Sequence, residues 1–293
     1  MKILMFTKMA LPHIGGVETH IHKVSNILVD RGYMVHVITS NPGPKVKDAK
    51  YELISDYKQA YKNFRWYDIV QCHDFEQYIP SCYMTFHGYE GHCPPNPVIV
   101  SQRKQIASVV PGVMFVGKYL KTWYDSKNVN EQVIWGGVDP SSRIERKPGR
   151  EVSVAYVGRI SYDKRSDIYQ NAASELRSGL TCRFYEDLPN SEVMKVWEQT
   201  DIAYANGQLS ILEAMSKGVP VVALASNKMV ADMLSECPAL IMVNTKEEIV
   251  EQTHKLAYEL GYYDHYSKLS WEFANQNTWE TVVNKYEKLW SLK

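Results

Sequence analysis

A chain of 293 residues is too long for one ordinary α/β core and comfortable for two, so two domains are expected. Lys plus Arg and Asp plus Glu both number 33, and the resulting zero formal charge excludes a whole-molecule field directed at nucleic acid or anionic lipid. The five cysteines (Cys72, Cys82, Cys93, Cys182, Cys237) are odd in number and scattered, with no CxxC, and no apolar run reaches the length of a signal-peptide core or a membrane span; free thiols and a cytoplasmic protein are expected.

Short β-rich apolar runs alternate with longer amphipathic ones, the pattern of parallel sheets covered by helices. Strands are predicted over residues 2–7, 34–39, 68–72, 82–86, 98–101, 113–116 and 133–135. The first helix, over 17–31, carries Ile21, Val24, Ile27 and Leu28 at helical spacing and is stopped by Gly32. Residues 140–150 lapse into a linker that holds Arg143, Arg146, Lys147 and Arg150. A second series follows, with strands over 152–157, 181–185, 202–204, 219–224 and 240–243, and helices over 167–177, 190–199, 211–217, 227–234 and 246–260. The last stretch, 266–292, reads as helix with an apolar stripe of Trp271, Phe273, Trp279, Val282, Val283, Tyr286, Leu289 and Trp290, a surface that must be covered.

Gly15 and Gly16 stand directly before the first helix, where backbone can approach a ligand and the helix end favours an anion; a tight turn with no ligand is the alternative. The run is not GxGxxG, and Thr39, Ser40 and Asn41 supply no acidic residue after the second strand, which disfavours a nicotinamide cofactor. In the second half, Arg159 and Lys164 lie just past the end of a predicted strand, where open α/β sheets bind ligands, and two cations on one loop suit a diphosphate. Glu213 falls in the first turn of the predicted helix 211–217, a place the dipole favours and one that also suits a ribose diol.

Seven segments in order carry a resemblance: Gly15-Gly-Val-Glu-Thr19, Asp68-Ile-Val-Gln-Cys-His-Asp74, Thr85-Phe-His-Gly88, Val133-Ile-Trp-Gly-Gly-Val-Asp139, Val157-Gly-Arg-Ile160 with Lys164, Thr200-Asp-Ile-Ala203, and Leu212-Glu-Ala-Met-Ser-Lys-Gly-Val-Pro-Val-Val222. Together they resemble the retaining glycosyltransferases of family 4, the group 1 glycosyl transferases of GT-B architecture. The resemblance implies two Rossmann-like parallel-sheet domains facing a central cleft: an N-terminal acceptor domain of residues 1–139 joined by a returning helix over 278–293, and a donor domain over 140–277. It implies transfer of a sugar from a UDP- or GDP-linked donor to a hydroxyl of a glycan or lipid-linked acceptor, with no metal and no cofactor. Arg159 and Lys164 would bind the donor diphosphate, Glu213 the ribose, and Gly15 and Gly16 the region where phosphate and acceptor meet. His87 would face the donor sugar, with His87 and Glu213 as the catalytic pair, and the backbone around Leu209, Ser210 and Ile211 would donate to the phosphates. No Asp-x-Asp occurs anywhere in the chain.

One position departs from the pattern: eight residues before Glu213, where the family places a first Glu on the donor sugar, this chain has Ala205, followed by Asn206-Gly207-Gln208. Asn206 or Gln208 is then the expected substitute. A sugar-nucleotide epimerase of the same architecture and a catalytically weak sugar-nucleotide-binding subunit are the alternatives. His13, His20 and His22 are expected to be solvated or capping rather than a zinc set, and His87, His92 and Cys93 lack a fourth ligand. Residues 45–66 interleave Lys45, Lys47, Lys50, Lys58, Lys62 and Arg65 with Tyr51, Tyr57, Tyr61, Phe64 and Trp66; the plain reading is the wet face of a helix, the sharper one a peripheral membrane contact of the N-terminal domain that reaches a lipid-linked acceptor.

Overall fold

The computed structural model describes residues 1–13, 15–41, 46–54, 64–75, 79, 81–89, 95–146 and 151–291. It divides into two compact units, Met1–Gly136 with Trp279–Lys293, and Gly137–Thr278.

The first unit is a seven-stranded parallel sheet. Its strands are β1 (Lys2–Met9), β2 (Met34–Asn41), β3 (Glu52–Ile54), β4 (Ile69–His73), β5 (Tyr83–Phe86), β6 (Val113–Val116) and β7 (Glu131–Ile134), in the order β3-β2-β1-β4-β5-β6-β7. Ile3, Leu4, Met5 and Phe6 are all fully buried, because a central parallel strand is covered on both faces and needs a continuous apolar run. Helix α1 (Gly16–Asp30) returns the chain to β2, burying Ile21, Val24 and Leu28; Gly32, at φ +86°, ends it in a conformation that a Cβ would strain.

Two expectations fail in this unit. Residues 98–101 are not a strand but the first turn of α2 (Pro97–Val109), because Asn96 caps it by accepting from the Val98 N–H at 3.0 Å and Pro97 stands at its start. The 45–66 stretch is not one wet helix: β3 adds an edge strand, and a single 3-10 turn spans Phe64–Trp66. Tyr51 is buried, Phe64 packs edge-on against Phe6 and Lys50 pairs with Asp30, so within this stretch Trp66 alone stands out as a large exposed apolar side chain among the described residues. Lys45, Tyr57, Lys58, Tyr61 and Lys62 lie outside the described residues, as do His92 and Cys93. Helix α3 (Lys118–Tyr124) links β6 to β7.

The second unit holds β8 (Val152–Val157), β9 (Leu180–Tyr185), β10 (Ile202–Tyr204), β11 (Val221–Leu224) and β12 (Ile241–Val243), all parallel, in the order β12-β11-β10-β8-β9. Its helices are α4 (Ser166–Ser174), α5 (Asn190–Glu198), α6 (Gln208–Ser216), α7 (Lys228–Leu234), α8 (Lys246–Tyr258) and α9 (Leu260–Gln276). Tyr156, Tyr169 and Tyr204 stack through its core. The basic stretch before β8 is docked rather than loose: Arg146 donates to the carbonyls of Lys217, Trp197 and Glu198, while Lys147 and Arg150 lie outside the described residues.

The terminal stretch is two helices, not one. Asn277 and Thr278 interrupt it, and α10 (Trp279–Leu289) belongs to the first unit, where Trp279, Val282, Val283, Tyr286 and Leu289 bury the apolar stripe. Polar contacts fix it there: Arg31 reaches Glu280, Glu287 and Asn284, Lys285 donates to the Val133 carbonyl, and Trp290 Nε1 donates to Gln71 Oε1 at 2.9 Å. Among the described residues no helix is long and apolar enough to cross a membrane.

Candidate functional site

An open parallel sheet offers a ligand crevice beyond the carboxyl ends of its strands at the point where strand order reverses. In the second unit that point lies between β8 and β10, and the loops leaving those two strands carry Arg159, Lys164 and Ala205–Gln208. They are tied to one another. Asn206 Nδ2 donates to the Lys164 carbonyl at 2.7 Å, and Ser210 Oγ donates to the Val157 carbonyl at 2.9 Å, which fixes the start of α6 against the end of β8. Tyr156 OH donates to the Arg159 carbonyl at 3.0 Å, and the Ile160 N–H to Glu186 Oε1 at 2.6 Å, so the β8 loop is held from both sides.

The two cations differ in setting. Arg159 is two-thirds exposed, its Nη2 3.3 Å from Asp163 Oδ2. Lys164 is half-buried, and burial, reinforced by the Arg159 charge, pulls its pKa below the ordinary lysine value. Asn206 is buried with its amide nitrogen committed to the loop, so the amide expected to replace the absent Glu also serves as a brace, and Ala205 is packed at 1 % exposure.

Helix α6 begins three residues before its predicted start, and two readings change with it. Glu213 stands in the second turn, not the first, beyond the strongest reach of the helix dipole. It is buried and accepts from Asn190 Nδ2, at the start of α5, at 2.5 Å. Of the three backbone donors expected at this helix end, the Ile211 N–H is already bonded to the Gly207 carbonyl at 3.0 Å, whereas Leu209 and Ser210 occupy the first turn, whose N–H groups point off the helix end. Asn190, which sequence reasoning did not single out, is the side chain that holds this candidate residue in place. A separate recess of about 330 Å³, between β9 and α5 and lined in part by Arg183, Tyr185, Glu192 and Lys195, includes neither cation nor Glu213.

In the first unit the order reverses between β1 and β4. Gly15 is the N-cap of α1 in extended conformation and makes room for Glu18: a Cβ at Gly15 would lie 2.2 Å from Glu18 Oε2. The carboxylate of Glu18 therefore sits over the helix end expected to meet a phosphate, and burial pushes its pKa up. Gly16 opens the helix proper.

His87 follows β5 at the same sheet edge. Its backbone N–H donates to Asp74 Oδ1 at 3.0 Å, and Asp74, at φ +51°, is braced by Arg103, which donates to its carbonyl at 3.2 Å. His87 is half-buried; His20 on α1 and His73 at the end of β4 are buried, contrary to the solvated histidines expected on α1. His22 is buried too but stands apart, against Tyr51 and Asp48. His73 Nδ1 and His87 Nε2 are 3.0 Å apart, the His20 and His87 rings meet edge to face with centroids 4.6 Å apart, and His20 Nε2 lies 2.9 Å from Tyr286 OH. Tyr286 OH continues to Thr85 Oγ1 at 2.8 Å, and Gln71 Nε2 donates to Thr85 Oγ1 at 3.0 Å. Burial lowers the pKa of all three imidazoles, which are neutral at pH 7.

No protein-family model matches the chain, and no curated protein matches it by sequence. Solved structures do. WaaG, a glycosyltransferase involved in lipopolysaccharide biosynthesis, aligns with a TM-score of 0.71 at 12% identity, over 98% of this chain and 99% of its own. A glycosyltransferase from Rickettsia africae ESF-5 gives 0.72 at 12%, over 99% and 98%. WaaB, a lipopolysaccharide outer core galactosyltransferase in its apo form, gives 0.67 at 13%, over 99% of both chains. The fold is the GT-B fold of glycosyltransferases, two parallel-sheet α/β units with a terminal helix returned to the first.

Proposed function

We propose that the chain is a retaining glycosyltransferase that moves a sugar from a UDP- or GDP-linked donor to a hydroxyl of a glycan or lipid-linked acceptor in the cytoplasm. The reading is carried by one observation: at the strand-order reversal of the second unit, the loops bearing Arg159 and Lys164 are bonded directly to the loop and first turn of α6. A diphosphate there would meet two cations and the N–H groups of Leu209 and Ser210, donors that stabilise the charge growing on a leaving nucleoside diphosphate without a divalent ion. The absence of any Asp-x-Asp in the sequence supports the same division of labour. Glu213, held by Asn190, is the ribose partner in this reading, His87 of the first unit is the group for the donor sugar, and Gly15 and Gly16 mark the acceptor region.

A thermal-shift screen against UDP, GDP, ADP and their sugars selects the donor, since a ligand bound only by the folded state raises apparent stability. Anomeric proton NMR of the product then decides the reaction. A lengthened acceptor with the donor's anomeric configuration is expected; an inverted one sinks retention, and an epimer formed from donor alone favours the epimerase. Donor binding without transfer or slow hydrolysis favours a binding subunit, the alternative that the packed Ala205 motivates.

A further inference from the structure

Three imidazoles come from three separate elements, α1, β4 and the loop after β5, and one ring nitrogen of each lies within 4.8 Å of the other two. The hydrogen-bond inventory of the cluster does not close. Three neutral imidazoles hold three N–H donors and three lone pairs. One nitrogen of His20 is met by Tyr286, and one pair is formed between His73 and His87. His73 Nε2 has no hydrogen-bond partner among the described residues, although the residue is only 1 % exposed. Reversing the tautomers does not help: with His73 donating to His87, Nε2 is a bare lone pair, and with His87 donating, it is a buried N–H without an acceptor.

We propose that His20, His73 and His87 form a binding site for one divalent transition ion of the Zn²⁺ or Co²⁺ class, with a fourth coordination position left open. Imidazole is a ligand suited to these ions and not to Mg²⁺ or Ca²⁺, and three protein nitrogens with one open position is a known zinc arrangement. Tetrahedral ligation at about 2.0–2.1 Å places ligand nitrogens roughly 3.4 Å apart, so three nitrogens within 4.8 Å of one another close on an ion by side-chain rotation, with His73 ligating through its unpartnered Nε2. Outer partners are in place. Tyr286 OH fixes the His20 ring, and Asp74, which accepts from the His87 backbone N–H, positions His87 while its charge is offset by Arg103 at 3.7 Å. Arg159 and Lys164, the proposed diphosphate cations, are not among these ligands. An ion here would occupy a nitrogen of His87 and so withdraw that residue from the proposed sugar contact.

The test is metal binding by the full, metal-stripped chain. Titration with Co²⁺ is expected to produce the intense visible bands of a tetrahedral site, saturating at one ion per chain and abolished by one equivalent of Zn²⁺. His73→Ala and His87→Ala should each weaken binding by roughly tenfold or more, whereas His36→Ala, whose ring bonds Tyr67 on the other side of β1, should not change it. A wild-type chain that shows no tetrahedral Co²⁺ spectrum overturns the proposal without recourse to any variant. So does a spectrum that survives in a folded His87→Ala chain, folding being read by circular dichroism. Nucleotide binding is measured separately, so the failure of this site and of the glycosyltransferase reading are distinguishable.

Discussion

Arg159 and Lys164 invite removal one at a time, because their surroundings predict unequal losses. Arg159 is 66% exposed and shares its guanidinium with Asp163 at 3.3 Å. An exposed ion contact contributes about 0.2–1 kcal/mol, and part of that is lost in releasing Asp163, so Arg159→Ala should weaken nucleoside diphosphate binding by at most about 5-fold. Lys164 is half-buried and partly desolvated, where a charge-assisted contact is stronger; about 1.5–3 kcal/mol translates into a loss of roughly 10- to 150-fold for Lys164→Ala. Asp163→Asn should act in the opposite direction, freeing Arg159 for the ligand. Isothermal titration calorimetry at fixed ionic strength, with the nucleotide that gives the largest thermal shift, measures all three. Should Arg159→Ala prove the costlier change, or both alanine variants bind as the wild type does while folded, the assignment of this loop to a diphosphate is wrong.

The depressed pKa of Lys164 has a defined sign: only the protonated amine attracts the anion, so affinity falls as pH rises through that lowered value, earlier than for an ordinary lysine. Lys164→Arg should remove this alkaline limb, read by calorimetry at stepped pH. Tyr286→Phe deprives Thr85 Oγ1 and His20 Nε2 of a buried partner and should cost about 1–3 kcal/mol of stability, seen as a lower urea midpoint at unchanged m-value. Asn190→Ala leaves the buried Glu213 carboxylate without its amide donor; about 1–3 kcal/mol of stability should be lost, and Asn190→Gln is expected to recover less than half because the longer side chain moves the amide.

Much of the fold is legible because buried parallel strands must be apolar throughout. The run 152–157 outlasts a single helical turn and reads as a strand, and Gly32 marks the end of α1 as plainly as a backbone angle of +86° demands. The failures share a physical cause, which is that a run of about four apolar residues fits one helical turn as well as a strand. At 98–101 the deciding information was the Asn96–Pro97 start signal, not the β-branched run. At α6 no such signal exists: Gly207 caps the helix with no side chain, so its true start at Gln208 is invisible to a search for Ser, Thr, Asp or Asn. β3 is three residues long, too short for alternation to register.

The site was legible only where a single loop carries it. Arg159 and Lys164 are five residues apart, and proximity in sequence brings them together on the β8 loop whatever the rest of the chain does. Glu213 with Asn190, and His20 with His73 and His87, are joined by strand order, which local patterns do not encode. β4 and β5 are parallel neighbours with His73 opposite Thr85, so His87, two residues further on, emerges at the same end of the sheet. β1 pairs with β4 on its other side, and α1 leaves from that end of β1, carrying His20 over it. Any residue pair placed at those registers would meet, polar or not; it is the choice of imidazole at all three, with burial that leaves His73 Nε2 without a partner among the described residues, that packing alone does not require.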